Sequence, residues 1–390
     1  MFKKYLLLSI CLLVYLGMFF VPLSSVAEVV VVQSQSAINS LLKGTSPFQY
    51  HIMMLGVFPF IAAGLIFHVG GMLYLPWREM NHMGAKGASL QKSLKDKLTL
   101  IVWIIMSVKI SFGVDHSIVY FSSWAGSLLV FVELMCMYPV MKKLFTVVES
   151  IGLVSSAVTL FLGANIIMLI LGDLVNVFSE SLTDIGYWLF ALSVITALVC
   201  ALFIVIFNKL STKLSVYYTS GVTKAVVHTK LPIKINRTSV MPAIYTTFVV
   251  MIIMYAFGSS TMNPMVVFNN PIYFIAYCSL LYAMTLLLNV HGLDPRRVAG
   301  DMLSQGIVIS SSKNKQLFKD NVSSLTKEIR INSLYQSLFL IFLVSVQALW
   351  LNIVTIEPVN VLSYVGGIGL VILVNLFTDL VKNHKKLTQY

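Results

Sequence analysis

The chain has 390 residues, 58% of them apolar and only 11% charged, and its mean hydropathy is +0.87. Soluble domains carry about a quarter charged residues, so a large water-soluble catalytic domain is excluded and a membrane protein is implied. The net charge of +12 acquires meaning only once the basic residues are placed relative to the apolar runs.

The first run, residues 5–21, follows Lys3 and Lys4 and precedes a Ser-Ser-Val-Ala stretch of cleavage-site character. It is longer than the roughly 7–15 residues of a signal-peptide core, so a permanent first span is expected. Residues 28–49 are short and mildly polar, broken by Gly44 and Pro47. A fold-back of such a segment into the membrane would require a lumen lined by protein or water. Further runs of spanning length cover 53–75, 98–114, 124–141, 155–171, 185–207, 240–257, 271–290, 331–351 and 361–381. Ten spans are predicted, and the fold class is all-α.

With the N-terminus inside, 25 of the 27 Lys and Arg residues fall in cytoplasmic tails and loops; Lys43 lies outside and Lys109 within a span. By the positive-inside rule both termini are then cytoplasmic. Glu28, Asp115, Asp173, Glu180, Asp184 and Glu357 fall on the outer side, so the basic pI reflects orientation and calls for no nucleic-acid partner. Nor is there the aromatic-interleaved basic face that single-strand binding uses. Two cytoplasmic segments, 208–239 and 291–330, are longer than a connection needs and basic along their length. They read either as docking surfaces or as loops that satisfy topology and meet anionic lipid headgroups.

Catalytic chemistry finds no motif: H-E-x-x-H, a Walker A run and G-x-S-x-G are all absent from the sequence. The seven histidines lack ligand spacing, and no metal or cofactor is expected. Cys11, Cys136, Cys200 and Cys278 sit in separate apolar runs without C-x-x-C spacing. Intramembrane ionisable groups are functional candidates by default; Lys109 and Glu133 are expected to pair across neighbouring spans, and Asp379 to meet water or a basic loop. A secondary transporter is the competing class, with inverted repeats and interrupted spans. Its polar candidates, Asn165 and Asn176, converge on no intramembrane charge. A lipid-linked glycan flippase would want a charged central cavity, which so few buried charges do not supply.

Four strings carry a more specific resemblance. LPIKINRTSVMPAIY (231–245) resembles the L-P-[LI]-K-[VI]-N-x-x-G-V-I-P-x-I-F that leads into the seventh helix of the SecY protein-conducting channel family. MLGVFPFIAAGLIFH (54–68) is similar to the second SecY helix. LDPRRVAGDMLSQG (293–306) and YVGGIGLVI (364–372), running on to Asp379, resemble the segment after the eighth helix and the tenth helix. The matches occur in order from about residue 44 to the C-terminus.

The resemblance implies two pseudo-symmetric five-helix halves around a pore. The first half is 1–207, with span 6 starting at about 185, and the second is 240–390. The basic loop 208–239 joins them, a plug-like segment lies at 36–49, and the lateral gate falls between spans two and three and spans seven and eight. Carried over by motif position, the apolar pore ring is Val57, Ile61, Ile244 and Ile372, with the fifth-helix contribution unassigned. A narrow aliphatic ring dewets when empty and so blocks ions. Pro59 and Pro242 are expected to be gate hinges, since proline breaks the helical ladder. His68 takes a polar lateral-gate position.

Departures from the family pattern are informative. IVISSSKNK (307–315) replaces the I-P-G-I-R-P-G tip and lacks its arginine, Ser239 replaces a glycine, and His68 a glutamine. A short, divergent chain of this kind most resembles the accessory SecY of Gram-positive bacteria. That implies an accessory SecA-type ATPase motor, a possible SecE-like small subunit, accessory Sec proteins, and export of serine-rich glycosylated adhesins. Lys234, Arg237, Arg296, Arg297, Lys313, Lys315 and Lys319 are the expected motor contacts.

Overall fold

No water in hydrocarbon can satisfy a free backbone N–H or C=O, so each apolar run must close its own hydrogen bonds as a helix. In the computed structural model every expected span contributes one. Described are residues 2–26, 51–74, 76–77, 80, 84–114, 123–154, 156, 157–179, 184–219, 226–236, 238–256, 271–309, 317–356 and 367–388. The helices are α1 (Phe2–Gly17), α2 (Phe58–Leu73), α3 (Gly84–Gly113), α4 (Ser123–Ile151), α5 (Ala157–Ser179), α6 (Asp184–Lys209), α7 (Met241–Ala256), α8 (Pro271–Leu293), the short α9 (Pro295–Ser304), α10 (Leu317–Ile356) and α11 (Ile368–Thr388). Length and apolarity alone qualify five stretches among the described residues as spans, with shorter apolar helices at Phe58–Gly71, Ala157–Met168 and Met241–Val250.

The structure departs from the expected picture in the two basic segments. Residues 208–239 are not an irregular loop: they form strands β1 (Ser211–Thr219) and β2 (Val226–Lys234), antiparallel, with β3 (Ile307–Val308) on the other side of β1. Leu214, Val216 and Ile233 recur with period two among polar residues, the signature of a half-buried strand. α3 and α10 begin well before their lipid-compatible stretches, because hydropathy marks where lipid begins and not where a helix does.

The chain divides into two compact units. The first comprises Met1–Ser193, Ile356–Tyr364 and Ile372–Tyr390; the second comprises Val194–Thr355 and Val365–Val371.

Aromatic packing organises the first unit. The buried Trp103 indole donates to the Leu134 carbonyl at 3.0 Å, tying α3 to α4. Phe60 stacks on Phe145 at 3.8 Å between centroids and meets Trp103 edge-on, which adds α2 to the same cluster. Tyr15 and Phe145 both contact Phe161, bringing in α1 and α5. Such ring pairs contribute about 0.5–1.5 kcal/mol each beyond burial. A Cβ at Gly163 would lie 2.7 Å from a Leu376 methyl, so α5 and α11 approach closely there. After α1 the chain turns through Pro22, which bridges to His51. Leu23 and Val26 then pack with Val114, Val130 and Leu134.

In the second unit, one face of the hairpin joins α9 and the first turns of α10 in a small core of Val216, Ala299, Met302, Ile309 and Leu325. The Asn321 side chain accepts from the Ile309 N–H at 3.0 Å, and Asn332 donates to the Thr212 hydroxyl at 3.0 Å. Further along α10, Phe339 stacks on Phe207 of α6 at 3.9 Å. The two basic segments thus form one module rather than two loops.

Trp103→Phe removes both a buried donor and ring volume, and with them the hydrogen bond that ties α3 to the Leu134 carbonyl of α4. A loss of about 2–3 kcal/mol is expected, measured as a lower thermal midpoint of the detergent-solubilised protein.

Candidate channel and docking elements

The approach to α2 is a tight turn in which Gly56 adopts φ 50°, a conformation open to glycine without steric cost. Val57 follows as the residue before the helix, and Pro59 occupies its first turn. Pro242 is likewise the second residue of α7. The hinge expectation is corrected on this point. At the first turn of a helix the missing N–H of proline has no intrahelical acceptor to lose, so each proline starts its helix and breaks no ladder. Val57, Ile61, Ile244 and Ile372 are all buried.

His68 lies in the last part of α2 and is half-buried, with Nδ1 2.7 Å from the Gly64 carbonyl. A carbonyl only accepts, so Nδ1 carries the proton. Beside it Phe67 stacks on Trp77, whose ring covers Gly70 so closely that a Cβ there would overlap it. The Lys95 ammonium sits 4.8 Å from the Phe67 centroid, a cation–π contact. Burial lowers the pKa of Lys95, against the opposing pull of the Glu149 carboxylate.

Among the described residues, Glu133 is met by hydroxyls rather than by Lys109, the partner expected for it. The Glu133 carboxylate accepts from the hydroxyls of Ser24 and Ser25, the latter at 3.1 Å, while Lys109 points from an exposed position on α3. The chain after α1 brings two donors to the carboxylate, and hydrogen bonds to an ionised acceptor are the stronger kind. Sequence spacing could place Glu133 on its helix but could not foresee that donors would come from residues so distant in the chain.

Of the expected motor contacts, Lys234 ends β2, Arg296 and Arg297 lie on α9, and Lys319 lies in the first turn of α10. All four are exposed. Arg297 Nε is 3.7 Å from the Asp301 carboxylate, a surface pair of small energetic weight. The structure therefore brings residues from both basic segments onto one module. Arg237, Lys313 and Lys315, together with the plug-like segment 36–49 and Asn176 as a side chain, lie outside the described residues.

The hairpin register exposes two contacts that sequence reading missed. Lys213 pairs with Pro232, Ser215 with Lys230 and Ser211 with Lys234. Opposed residues share a face, so Lys213, Lys230 and Lys234 line the face turned away from the module's core, and all three are exposed. Residues 208–239 carry six Lys or Arg and no Asp or Glu, so no neighbouring carboxylate in this segment neutralises them. Recognising β-strand alternation in 211–234 would have found the pattern.

A buried polar network was also invisible to composition. Gln336 on α10 is fully buried. Its Nε2 lies 2.9 Å from Asn236 Oδ1 and 2.9 Å from the Ser239 carbonyl, and its Oε1 accepts from Asn289 Nδ2 at 3.1 Å. Thr238 Oγ1 is within reach of both Gln336 and Asn289, Asn289 also donates to Ser333 at 3.0 Å, and Asn236 donates to Asn208. Ser239, where the resembling family has glycine, adopts φ 54°. That left-handed conformation costs a residue bearing a Cβ about 1–2 kcal/mol.

A double-mutant cycle separates the two pairings of Glu133. Ser25→Ala with Glu133→Gln should show coupling of about 1 kcal/mol, whereas Lys109→Met with Glu133→Gln should stay within about 0.5 kcal/mol of additivity, both read as unfolding free energies in detergent.

A family model described as SecY matches residues 51–381. The chain is similar to the protein translocase subunit SecY of Bacillus licheniformis, 22% identical over 389 residues, covering 93% of this chain and 89% of that protein. It is similar to the SecY subunit of Lactococcus lactis subsp. cremoris at 22% identity, covering 88% of this chain and 82% of that protein. Among solved structures it resembles one reported as the structure of a protein-conducting channel, with a TM-score of 0.64 and 16% identity, covering 96% of this chain and 91% of that one. It also resembles canine Sec61 in its ribosome–channel complex, with a TM-score of 0.61 and 15% identity, covering 96% of this chain and 91% of that one.

Proposed function

The chain belongs to the SecY family, and from that premise we propose that it is the pore subunit of a bacterial protein translocase that passes unfolded polypeptides across the plasma membrane. The observation that carries this reading is the match of the family over 331 consecutive positions, residues 51–381, on a chain whose helices fall where ten spans were expected. The protein is a channel subunit and not an enzyme, so transport draws its energy from a partner. Family relatives reported as translocase subunits and as a channel on a ribosome support a partnership with small Sec subunits and with a motor or ribosome. The distribution of Lys and Arg supports cytoplasmic termini.

Val57, Ile61, Ile244 and Ile372 form the pore ring in this reading, with residues 36–49 as the plug and His68 at the lateral gate. Support comes from their motif positions and from the burial of all four aliphatic residues, as a sealed constriction requires. The partner motor is an accessory SecA-type ATPase and the cargo serine-rich glycosylated adhesins. The support here is the rebuilt 307–315 segment, which lacks the arginine of the family's tip. The motor docks on the module of β1, β2, α9 and the start of α10, through Lys234, Arg296, Arg297 and Lys319, with Arg237, Lys313 and Lys315 from the same segments.

Two experiments test the reading. A photo-reactive residue at Ile61 or Ile244, in membranes holding the motor and a substrate arrested midway, should crosslink to the substrate. With the motor bound and the substrate engaged, absence of a crosslink would favour a solute transporter instead. Charge reversal at Arg296, Arg297 and Lys319 should weaken motor binding at least tenfold at low salt, with a smaller difference near 0.5 M salt as screening removes the attraction. Binding that is unchanged would place the motor elsewhere.

A further inference from the structure

The turn that starts α7 is held by a side chain from another helix. Ser239 sits at φ 54°, a conformation that an L-residue adopts only when its surroundings determine it. Immediately after it, the Met241 N–H meets the Thr238 carbonyl, and the Ala243 and Ile244 N–H groups meet the Val240 carbonyl. The first turn of α7 is therefore built directly on the strained residue. The Gln336 carboxamide of α10 meets the strained turn from outside, its Nε2 2.9 Å from the Ser239 carbonyl and 3.1 Å from Thr238 Oγ1. Its Oε1 is anchored by Asn289 of α8.

Gln336 belongs to α10, which runs unbroken from Leu317 to Ile356. About three turns before Gln336 the same helix supplies Leu325 to the core of the cytoplasmic module, together with Val216 and Met302, and Asn332 holds Thr212 of β1. One rigid element thus carries both the basic module and the amide that fixes the α7 turn. A helix curves gently but does not kink sharply unless something interrupts its hydrogen-bond ladder, so a displacement of the module is carried to the turn.

We propose that Gln336 is a positioning residue: a latch through which α10 holds the Ser239 turn, so that the basic module and the start of α7 move together. For its consequence in transport this rests on the pore-subunit reading; the latch itself does not.

The first test needs no transport. In full-length protein in detergent, Gln336→Met keeps the length and bulk of the side chain but cannot donate to the Ser239 carbonyl. Hydrogen exchange at the Ala243 and Ile244 amides should rise tenfold or more, with exchange in α1 unchanged. Ser239→Gly added to Gln336→Met should return it to within threefold of wild type, because glycine holds the turn without strain. If Gln336 merely fills space, Gln336→Met leaves exchange unchanged. If its loss acts only through stranded polar neighbours, Ser239→Gly restores nothing. Either result overturns the latch. Should Gln336→Met fail to accumulate, Gln336→Asn, whose shorter amide cannot span Asn289 and Ser239, is read in the same way.

The second test uses proteoliposomes with a SecA-type motor and an unfolded substrate. Gln336→Met should bind the motor within twofold of wild type while the turnover of translocation falls at least tenfold, and the double variant should recover to within threefold. A loosened turn with unaltered turnover would overturn the coupling. Wild-type protein that moves no substrate would count against the pore-subunit reading and leave the exchange result standing.

Discussion

Everything in this chain answers to one constraint: within hydrocarbon, a polar group finds its partner in the protein or goes without. The backbone meets this by forming helices. Side chains meet it in two ways. Trp103, Glu133 and Gln336 each take partners far away in sequence, so that a hydrogen bond also fixes how one segment lies on another. Ser111, Thr246 and Thr285 instead bond a carbonyl one turn back in their own helices, which satisfies the hydroxyl within its own helix. The distant bonds give the architecture its specificity, because van der Waals packing of Leu, Ile and Val alone discriminates poorly between arrangements in lipid.

The same constraint divides the molecule by region. Unit one is joined by rings and a few donors, unit two by an amide network near the ends of its helices and a small soluble-type core beyond it. In that core Ala299 and Met302 of an amphipathic helix meet alternate residues of a strand, which is the ordinary construction of a water-soluble α+β module. The basic residues then have a rigid scaffold. Three lysines on one face of a hairpin define a fixed pattern of charge, which a flexible loop of equal composition would not.

How much was legible beforehand follows from the range of each signal. Hydropathy acts residue by residue and located the helix of each of the ten expected spans, and ordered motifs led to the family. Features that depend on distant partners were not legible. The donors to Glu133 went unforeseen because Ser24 and Ser25 are more than a hundred positions away. The prolines were read as interruptions because helix boundaries were taken from apolarity, and Pro59 and Pro242 stand within two residues of where their helices begin. The hairpin was hidden for a different reason: its alternation was present in the sequence, but charge dominated the reading of that stretch.

The pairing of β1 with β3 has a consequence for how the molecule is made. Tyr217 pairs with Val308, its partner 91 residues later in the chain, and two spans, α7 and α8, lie between them. At ribosomal speeds of about 5–20 residues per second, roughly 5 to 18 seconds separate the synthesis of the two strands. During that interval the hairpin has two open edges, the condition under which strands recruit the wrong neighbour. β2 carries Pro232, which cannot donate to a ladder, between Lys230 and Lys234, and proline and lysine are the residues that blunt an edge. The third strand covers the β1 edge alone, so the residues that give the module its charge also guard the β2 edge, in the nascent hairpin and in the finished sheet.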